Sequence, residues 1–311
     1  MKQWTDGVRS RLAPTPSGFL HLGNAFSFAL TWLLTRYHGG SLLLRIDDID
    51  NERRRPAYVE DVFHTLAWLG LDWDAGPRDP TDFETHFSQL QALDRYARLL
   101  DGLRQSGIVY ACNCSRSQVL ASSANGGYPG TCRHRNLPPD TPGAAWRVYV
   151  PENTVIDIPE YTGEPRPVRL DAAMGDFVVR RRNGLPAYQV ASLADDLHYG
   201  INLVVRGVDL LPSTAAQLFL AGHLPPNAFA KTLFYHHPLL KDEGGQKLSK
   251  SAGAASLLAL RGQLPGSSPV YQALAKALGL PAGTAAGPRD LLRRFTPAAL
   301  PGSAGTLTGL S

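Results

Sequence analysis

The order of segments near the N-terminus constrains this chain more than any other feature. Val8–Ala13 is a short mixed segment that runs into Pro14-Thr15-Pro16-Ser17-Gly18. Two prolines and a glycine in five residues stop regular structure there. Asn24–Tyr37 then carries Phe26, Ala29, Leu30, Leu33 and Leu34 at helical spacing, Gly39-Gly40 breaks the helix, and Ser41–Ile46 reads as an apolar strand. A strand, turn, helix and strand in that order form a βαβ unit. Such a unit needs a parallel sheet with helices covering it.

The later pattern fits the same architecture. Ala57–Leu69 and Gln89–Gln105 read as amphipathic helices, the first with Val59, Val62, Phe63, Leu66 and Leu69 on one side. Between Val109 and Tyr188 the periodicity gives way to turns, with strand candidates only at Ala145–Val150 and Asp176–Arg181. Helical and strand patterns return at Gln189–Leu197 and Asn202–Arg206, and two helices are predicted late, at Ser268–Leu278 and Pro288–Phe295. An irregular block between two αβ halves reads as an insertion into a doubly wound fold. The expected division is 1–108 and 189–252 for the two halves, 109–188 for the insertion and 253–311 for a short helical tail.

Composition narrows the class. The chain has 311 residues, 43% of them hydrophobic and 19% charged, as in an ordinary soluble domain. It lacks both an apolar run long enough to cross a bilayer and a signal-peptide core, so a cytoplasmic protein with no membrane partner is expected. A net charge of +4 permits a polyanionic partner without demonstrating one. All three cysteines fall within Cys112–Cys132, which points to a metal site and away from a disulfide framework.

Two short motifs suggest nucleotide chemistry. His21-Leu22-Gly23-Asn24 sits where a turn opens a helix, so main-chain N–H groups and the helix dipole favour a phosphate there. Gly23 leaves room for close approach, and His21 can hydrogen-bond a phosphate oxygen. Lys247-Leu248-Ser249-Lys250-Ser251 follows the loop Asp242–Gln246 and offers cations for a triphosphate. Breaking an α–β phosphate link builds charge that fixed cations stabilise. Either motif alone is common enough to be a plain surface loop.

Together with their context, they resemble the class I aminoacyl-tRNA synthetases, and among them the glutamyl type. The resemblance runs through Arg11-Leu12-Ala13-Pro14-Thr15-Pro16-Ser17-Gly18, His21–Asn24, Arg45-Ile46-Asp47-Asp48-Ile49-Asp50, Gly70-Leu71-Asp72-Trp73-Asp74, Arg206-Gly207-Val208-Asp209-Leu210 and Lys247–Ser251, in the family's order. It implies a Rossmann-type catalytic core with a connective insertion. ATP, bound with Mg2+, would be held by His21, Gly23, Asn24, Lys247, Ser249 and Lys250, with His21 and Lys250 catalytic. Glutamate would lie along Arg11, Leu12, Ala13, Pro14 and Thr15. Arg11 and Arg206 would hold its carboxylates, Thr15 and Asp47 its ammonium, and Tyr188 would close the pocket. Arginine suits this task because its planar fork binds carboxylates bidentately. The family carries Glu where this chain has Asp47, which draws the carboxylate back by roughly 1.5 Å. Asn24 replaces the generic second histidine of the first motif, as is common in the glutamyl branch.

The cysteine cluster has the spacing Cys112-Asn113-Cys114 and then Tyr128-Pro129-Gly130-Thr131-Cys132. Structural zinc wants a fourth ligand. Ligand chemistry favours His134. The resemblance favours Tyr128, because the tRNA-modifying branch of glutamyl-type synthetases uses Cys-x-Cys followed by Tyr-x-x-x-Cys. The residues after Ser251 are too few for the helical domains that read an anticodon in the standard enzyme. A truncated core of this kind resembles the glutamyl-queuosine tRNA(Asp) synthetases. That likeness implies a monomer that activates L-glutamate with ATP, without RNA, and transfers it to queuosine at the wobble position of tRNA(Asp). No general base is indicated for the transfer. The rival readings are a synthetase charging the 3′ end of tRNA(Glu), a non-catalytic RNA-binding paralogue, and delivery of glutamate to a carrier protein.

Overall fold

The computed structural model describes residues 7–121, 127–239, 256–281, 285–302 and, for the backbone, 240–241 and 307–308. Lys247, Ser249 and Lys250 lie outside these residues.

Strands β1 (Arg9–Leu12) and β2 (Ser41–Leu44) pair in parallel, Arg11 opposite Leu43. The helix Leu22–Tyr37 connects them. A second parallel pair, β8 (Leu203–Gly207) and β9 (Leu233–His237), is joined by the helix Leu211–Gly222. The two pairs meet at β1 and β8, where the Asn202 N–H donates to the Arg9 carbonyl at 3.0 Å. The spatial order is therefore β2, β1, β8, β9. From β1 the chain builds outward in both directions, which creates a crevice at the carboxyl ends of β1 and β8.

The helix Leu22–Tyr37 begins two residues earlier than its apolar spacing predicts. The Asn24 side chain accepts from the His21 N–H at 3.0 Å and caps the extra turn. Conversely, β2 stops at Leu44, short of Ile46, although its ladder continues irregularly. Arg45 N donates to Leu12 O (2.9 Å) and Asp47 N to Pro14 O (2.8 Å). These two bonds carry the pairing into the turn and lay Asp47 beside the start of the crevice.

One core gathers around the helix Leu22–Tyr37, whose Ala25, Phe26, Ala29, Leu30, Leu33 and Leu34 are fully buried. The sheet covers one side. Late helices cover the other: Val270, Tyr271, Leu274, Leu291 and Phe295 belong to the same core. The helices Ser268–Ala277 and Pro288–Leu292 thus form a wall of the first core. Tyr271 fastens them, its hydroxyl donating to Leu69 O at 2.7 Å at the end of the helix Pro56–Leu69.

A second core lies under the helix Leu211–Gly222 and takes in Trp146, Val148, Ile158 and Val179. These belong to the irregular block, where three antiparallel strands stand in the order β3 (Val109–Cys112), β4 (Ala145–Val148), β7 (Val178–Arg180). A hairpin of β5 (Val155–Ile158) and β6 (Arg166–Arg169) stands beside them. Of these five strands only β4 and β7 show in the sequence pattern. The others run four residues each with mixed burial, too short to establish an alternation.

Gly76 has a backbone role that no side chain can fill. Its φ is +100°, and a Cβ there would stand 2.1 Å from the Leu44 carbonyl oxygen. Gly76→Ala should lower stability by about 2–4 kcal/mol. Urea unfolding checks this; an unchanged midpoint would show that the loop can move away without cost.

Candidate active site and cysteine cluster

A cavity of about 650 Å³ opens at the carboxyl ends of β1 and β8, above the N-terminus of the helix Leu22–Tyr37. Arg11, Ala13, Thr15, His21, Gly23, Asn24, Asp47, Tyr188 and Arg206, all expected at the site, line it together. They come from the end of β1, the turn after it, the helix start, the end of β2, the helix Tyr188–His198 and the end of β8. Leu12 and Pro14 do not line it. Leu12 points into the first core, and Pro14 contributes its carbonyl to the Asp47 N–H. The chain on either side of the lysine motif also reaches the cavity. Leu239 lines it, Ser256 forms a bridge with His21, and Leu257 N donates to Leu20 O at 2.8 Å.

Under the cavity floor lies a cluster of charges that the motifs did not announce. Arg11, Arg45 and Arg206 are each 4% exposed, and Asp47, Asp195 and Asp196 between 1% and 6%. Asp196 Oδ1 accepts from Arg11 Nε at 3.1 Å and from Arg45 Nη1 at 2.6 Å. Arg45 also grips Asp47 with two bonds, Nε to Oδ1 (2.6 Å) and Nη2 to Oδ2 (3.2 Å). Gln89 Nε2 donates to Asp195 Oδ2 at 2.9 Å, and Asp195 further accepts from Tyr96 and Arg95. Three buried guanidinium groups face three buried carboxylates, and Arg95 at the edge adds a fourth cation. Each of these charges is too costly to bury alone.

The titration directions follow. Burial opposes the charge on Asp196, but Arg11, Arg45 and Arg206 around it hold its carboxyl below the ordinary value. Burial dominates at Asp47 and raises its carboxyl even though Arg45 pulls it down. Burial likewise lowers the Arg206 guanidinium, against the opposing influence of Tyr188.

The donors left over indicate what the cavity accepts. Arg206 Nη2 donates to Gln217 Oε1 at 2.8 Å, while its buried Nε and Nη1 meet no acceptor among the described residues. Arg11 is held through Nε, and neither of its Nη groups bonds to a described residue. Buried cationic donors without partners are expensive, and an incoming carboxylate or phosphate relieves them. Asp47 lines the cavity with both oxygens already accepting from Arg45. Any ammonium it takes must therefore share those oxygens with Arg45.

His21 is the residue before the first helical turn, and its ring folds back over Gly23. A Cβ on Gly23 would stand 3.0 Å from the ring, so a close neighbour of this glycine is the histidine itself.

In the irregular block, the sulfurs of Cys112, Cys114 and Cys132 lie within 4.8 Å of one another. Cys114 and Cys132 are 3.4 Å apart and not bonded as a disulfide. The Tyr128 hydroxyl is 3.4 Å from Cys112 Sγ and accepts from the Cys132 N–H at 2.7 Å. The Arg147 guanidinium sits 3.8 Å from the Tyr128 ring centroid, and burial together with the hydrogen bonds to Cys112 and Cys132 raises the phenol above its ordinary value. Burial raises the Cys132 thiol, but the Tyr128 hydroxyl and its other donors outweigh this and hold it at about 7. Three thiols and a phenol oxygen in one place fit a tetrahedral soft-ligand site. His134 is exposed and is not part of this group.

Arg45 was read only as part of a motif, without a role, and Gln89, Asp195 and Asp196 were not singled out in the sequence. The available signal was Asp195-Asp196, two adjacent acids inside an otherwise apolar helix; Gln89 carried none. Asp196→Asn leaves Arg11 and Arg45 short of a buried counter-charge and should cost about 3–5 kcal/mol at neutral pH. The folded-state carboxyl of Asp196 lies below its unfolded value near 3.9. Its contribution is therefore present above that value and is lost as pH falls through the lower, folded one. Urea unfolding from pH 7 to pH 3 should show a shallower acid loss in the variant. Equal stability across that range would remove Asp196 from its central role.

Comparison with known proteins places this geometry. Residues 7–126 match the family model for the catalytic domain of class I tRNA synthetases (E and Q). The glutamyl-Q tRNA(Asp) synthetase of Nitratidesulfovibrio vulgaris is 37% identical over 311 residues, spanning 94% of each chain. That of Parasynechococcus marenigrum is 39% identical over 95% of this chain and 92% of its own. Glutamate–tRNA ligase 2 of Acidithiobacillus ferrooxidans is 38% identical over 83% of this chain but only 55% of its own. Among solved structures, the glutamate-tRNA synthetase of Elizabethkingia anophelis shares the fold, with a TM-score of 0.77 at 23% identity over 97% of this chain and 68% of that one. With near-complete coverage at such identity, and residues of four of the motifs lining one cavity, the chain belongs to the glutamyl-Q tRNA(Asp) synthetase family and is an enzyme of the class I aminoacyl-tRNA synthetase type.

Proposed function

We propose that the enzyme activates L-glutamate with ATP, without RNA, and transfers it to queuosine at the wobble position of tRNA(Asp). The observation that carries the first half is Arg206, with two buried donors unpaired and Arg11 lining the same cavity. One amino acid with two carboxylates suits two cations held this way. The second half draws on the relatives named glutamyl-Q tRNA(Asp) synthetase.

In this reading the α-carboxylate of glutamate attacks the α-phosphate of ATP and pyrophosphate leaves. A hydroxyl of the queuosine ring then attacks the adenylate carbonyl and AMP departs. Arg11 and Arg206 hold the carboxylates, Tyr188 closes the pocket, and Thr15 with Asp47 takes the ammonium, Asp47 being oriented by Arg45. His21, Gly23 and Asn24 at the helix N-terminus, with Lys247, Ser249 and Lys250, hold the phosphates. His21 and Lys250 stabilise charge as the α–β link breaks. Mg2+ enters with ATP and neutralises part of its phosphate charge. Cys112, Cys114, Tyr128 and Cys132 hold a structural zinc that stiffens the insertion 109–188 between the catalytic halves 1–108 and 189–252, with 253–311 as a helical tail. The enzyme works as a monomer in the cytoplasm.

Glutamate-dependent ATP–pyrophosphate exchange in the absence of RNA should be measurable. Arg206→Ala should raise the KM for glutamate about 100-fold, equivalent to about 2.7 kcal/mol, with little change in the KM for ATP. Exchange that required tRNA, or an equal rise in both constants, would contradict the assignment. Labelled glutamate should pass to tRNA(Asp) with queuosine and not to tRNA(Asp) without it. Stable attachment to the 3′ end of tRNA(Glu) would instead support the conventional activity, which the similarity to glutamate–tRNA ligase 2 keeps as the rival reading. Metal analysis should find one zinc per chain, lost in Cys132→Ser; a full zinc content in that variant would exclude the cluster.

A further inference from the structure

The cavity reaches both faces of the sheet, and the two sides differ in what they ask of a ligand. Side chains alternate in direction along a strand. On β9, Leu233 and Tyr235 belong to the first core, while His236 Nε2 is 2.7 Å from the Thr214 hydroxyl on the helix Leu211–Gly222. His237 therefore faces the first core, on the side of the helix Leu22–Tyr37 and of Val205 on β8. Arg206 takes the other face, where it bonds to Gln217 of the helix Leu211–Gly222. Phe28, Val205, His237 and Leu239 all line the cavity, and Asp209 adds a carboxylate that acts on His237. Gly207, opposite His237 in the ladder, keeps this end open. A Cβ there would stand 2.5 Å from Asp209 Oδ1 and 3.1 Å from Leu239 Cδ2.

His237 is 5% exposed, and its Nδ1 stands 2.8 Å from the Pro238 carbonyl oxygen. A carbonyl only accepts, so Nδ1 carries the proton and donates. Burial lowers the imidazolium below its ordinary value, against the Pro238 carbonyl and Asp209, so the ring is neutral. A neutral ring has one N–H, which leaves Nε2 as an acceptor. This Nε2 is buried and meets no donor among the described residues. Buried acceptors are rarely left unmet, because the lost hydration is not replaced. Arg206, on the other face, has buried donors unmet. The cavity thus wants anions on the side of the arginines and a hydrogen-bond donor beside β9.

We propose that His237 Nε2 accepts from the exocyclic amine of adenine and so selects ATP over nucleotides that lack this amine. This rests on the reading of ATP as the co-substrate. A nucleotide with its phosphates at the N-terminus of the helix Leu22–Tyr37 can turn its base toward the ends of β8 and β9. Phe28, Val205 and Leu239 there give apolar walls, which suit a flat ring carrying one amine better than a diol. A purine with an oxo group in place of the amine would set one lone pair against another. A site built around a hydrogen bond rejects the analogue that cannot make it.

The test measures glutamate-dependent pyrophosphate exchange with ATP, inosine triphosphate, purine riboside triphosphate (which has no amine), and 2′-deoxy- and 3′-deoxy-ATP. In the parent, the KM for purine riboside triphosphate should lie about tenfold above that for ATP, and that for inosine triphosphate higher still. His237→Leu should raise the KM for ATP about tenfold and leave that for purine riboside triphosphate at the parent value, so the preference disappears. His237→Gln, whose Oε1 can stand where Nε2 stands, should keep it. The KM for glutamate should not move in either variant. A preference that survives in His237→Leu overturns the proposal, as does a parallel rise for ATP and purine riboside triphosphate, which marks a structural role. Discrimination lost against a deoxy form instead would put the donor on the ribose and overturn the assignment to the amine. If the parent shows no exchange with glutamate, the reading of the reaction fails. His237 is then judged by calorimetric binding of the same nucleotides, and equal affinity of the parent for ATP and purine riboside triphosphate overturns its role.

Discussion

The carboxylate of Asp196 holds the floor of the site together. It has no meaningful contact with water, and one oxygen accepts from two guanidinium groups that belong to different strands. Arg11 comes from β1, Arg45 from the end of β2, and Asp196 from the helix preceding β8. One atom thus ties together the two sides of the crevice. Arg45 passes the constraint on to Asp47, and Gln89 and Asp195 brace it from behind. Orientation is the gain from so much buried charge. A guanidinium fixed through Nε presents its remaining donors at a set angle, whereas a solvated one samples many.

The same cluster fixes Asp47. Asp47 is short, and Arg45 reaches it with both donors while the backbone bond to Pro14 holds its main chain. The carboxylate is therefore a rigid part of the pocket wall.

Much of this was readable from the chain alone, and the unread part has a common cause. The βαβ start follows from local signals, turn prolines and helical spacing, whereas most of the nine cavity-lining residues were named only through the family resemblance. The strands β3, β5 and β6 escaped because four residues of mixed burial carry no period. Asp195 and Asp196 escaped, and Arg45 was given no role, because their partners lie as many as 185 positions away along the chain. A buried ion pair leaves no trace in sequence beyond a charge in an apolar run. Gln89 is further still from recognition, since a single amide on a helix start is ordinary. The late helices were expected as a tail, and only their packing shows that they complete the first core.

That packing sets an order of assembly. The helix Leu22–Tyr37 is made well before the segments that wall it, since its outer face is buried by Val270, Tyr271, Leu274, Leu291 and Phe295. Its inner face waits as well, for β8 to close against β1. The N-terminus of this helix carries His21–Asn24, so that segment cannot reach its final setting until residues 268–295 have been made. A chain lacking those helices would keep an unwalled core and an exposed apolar helix face.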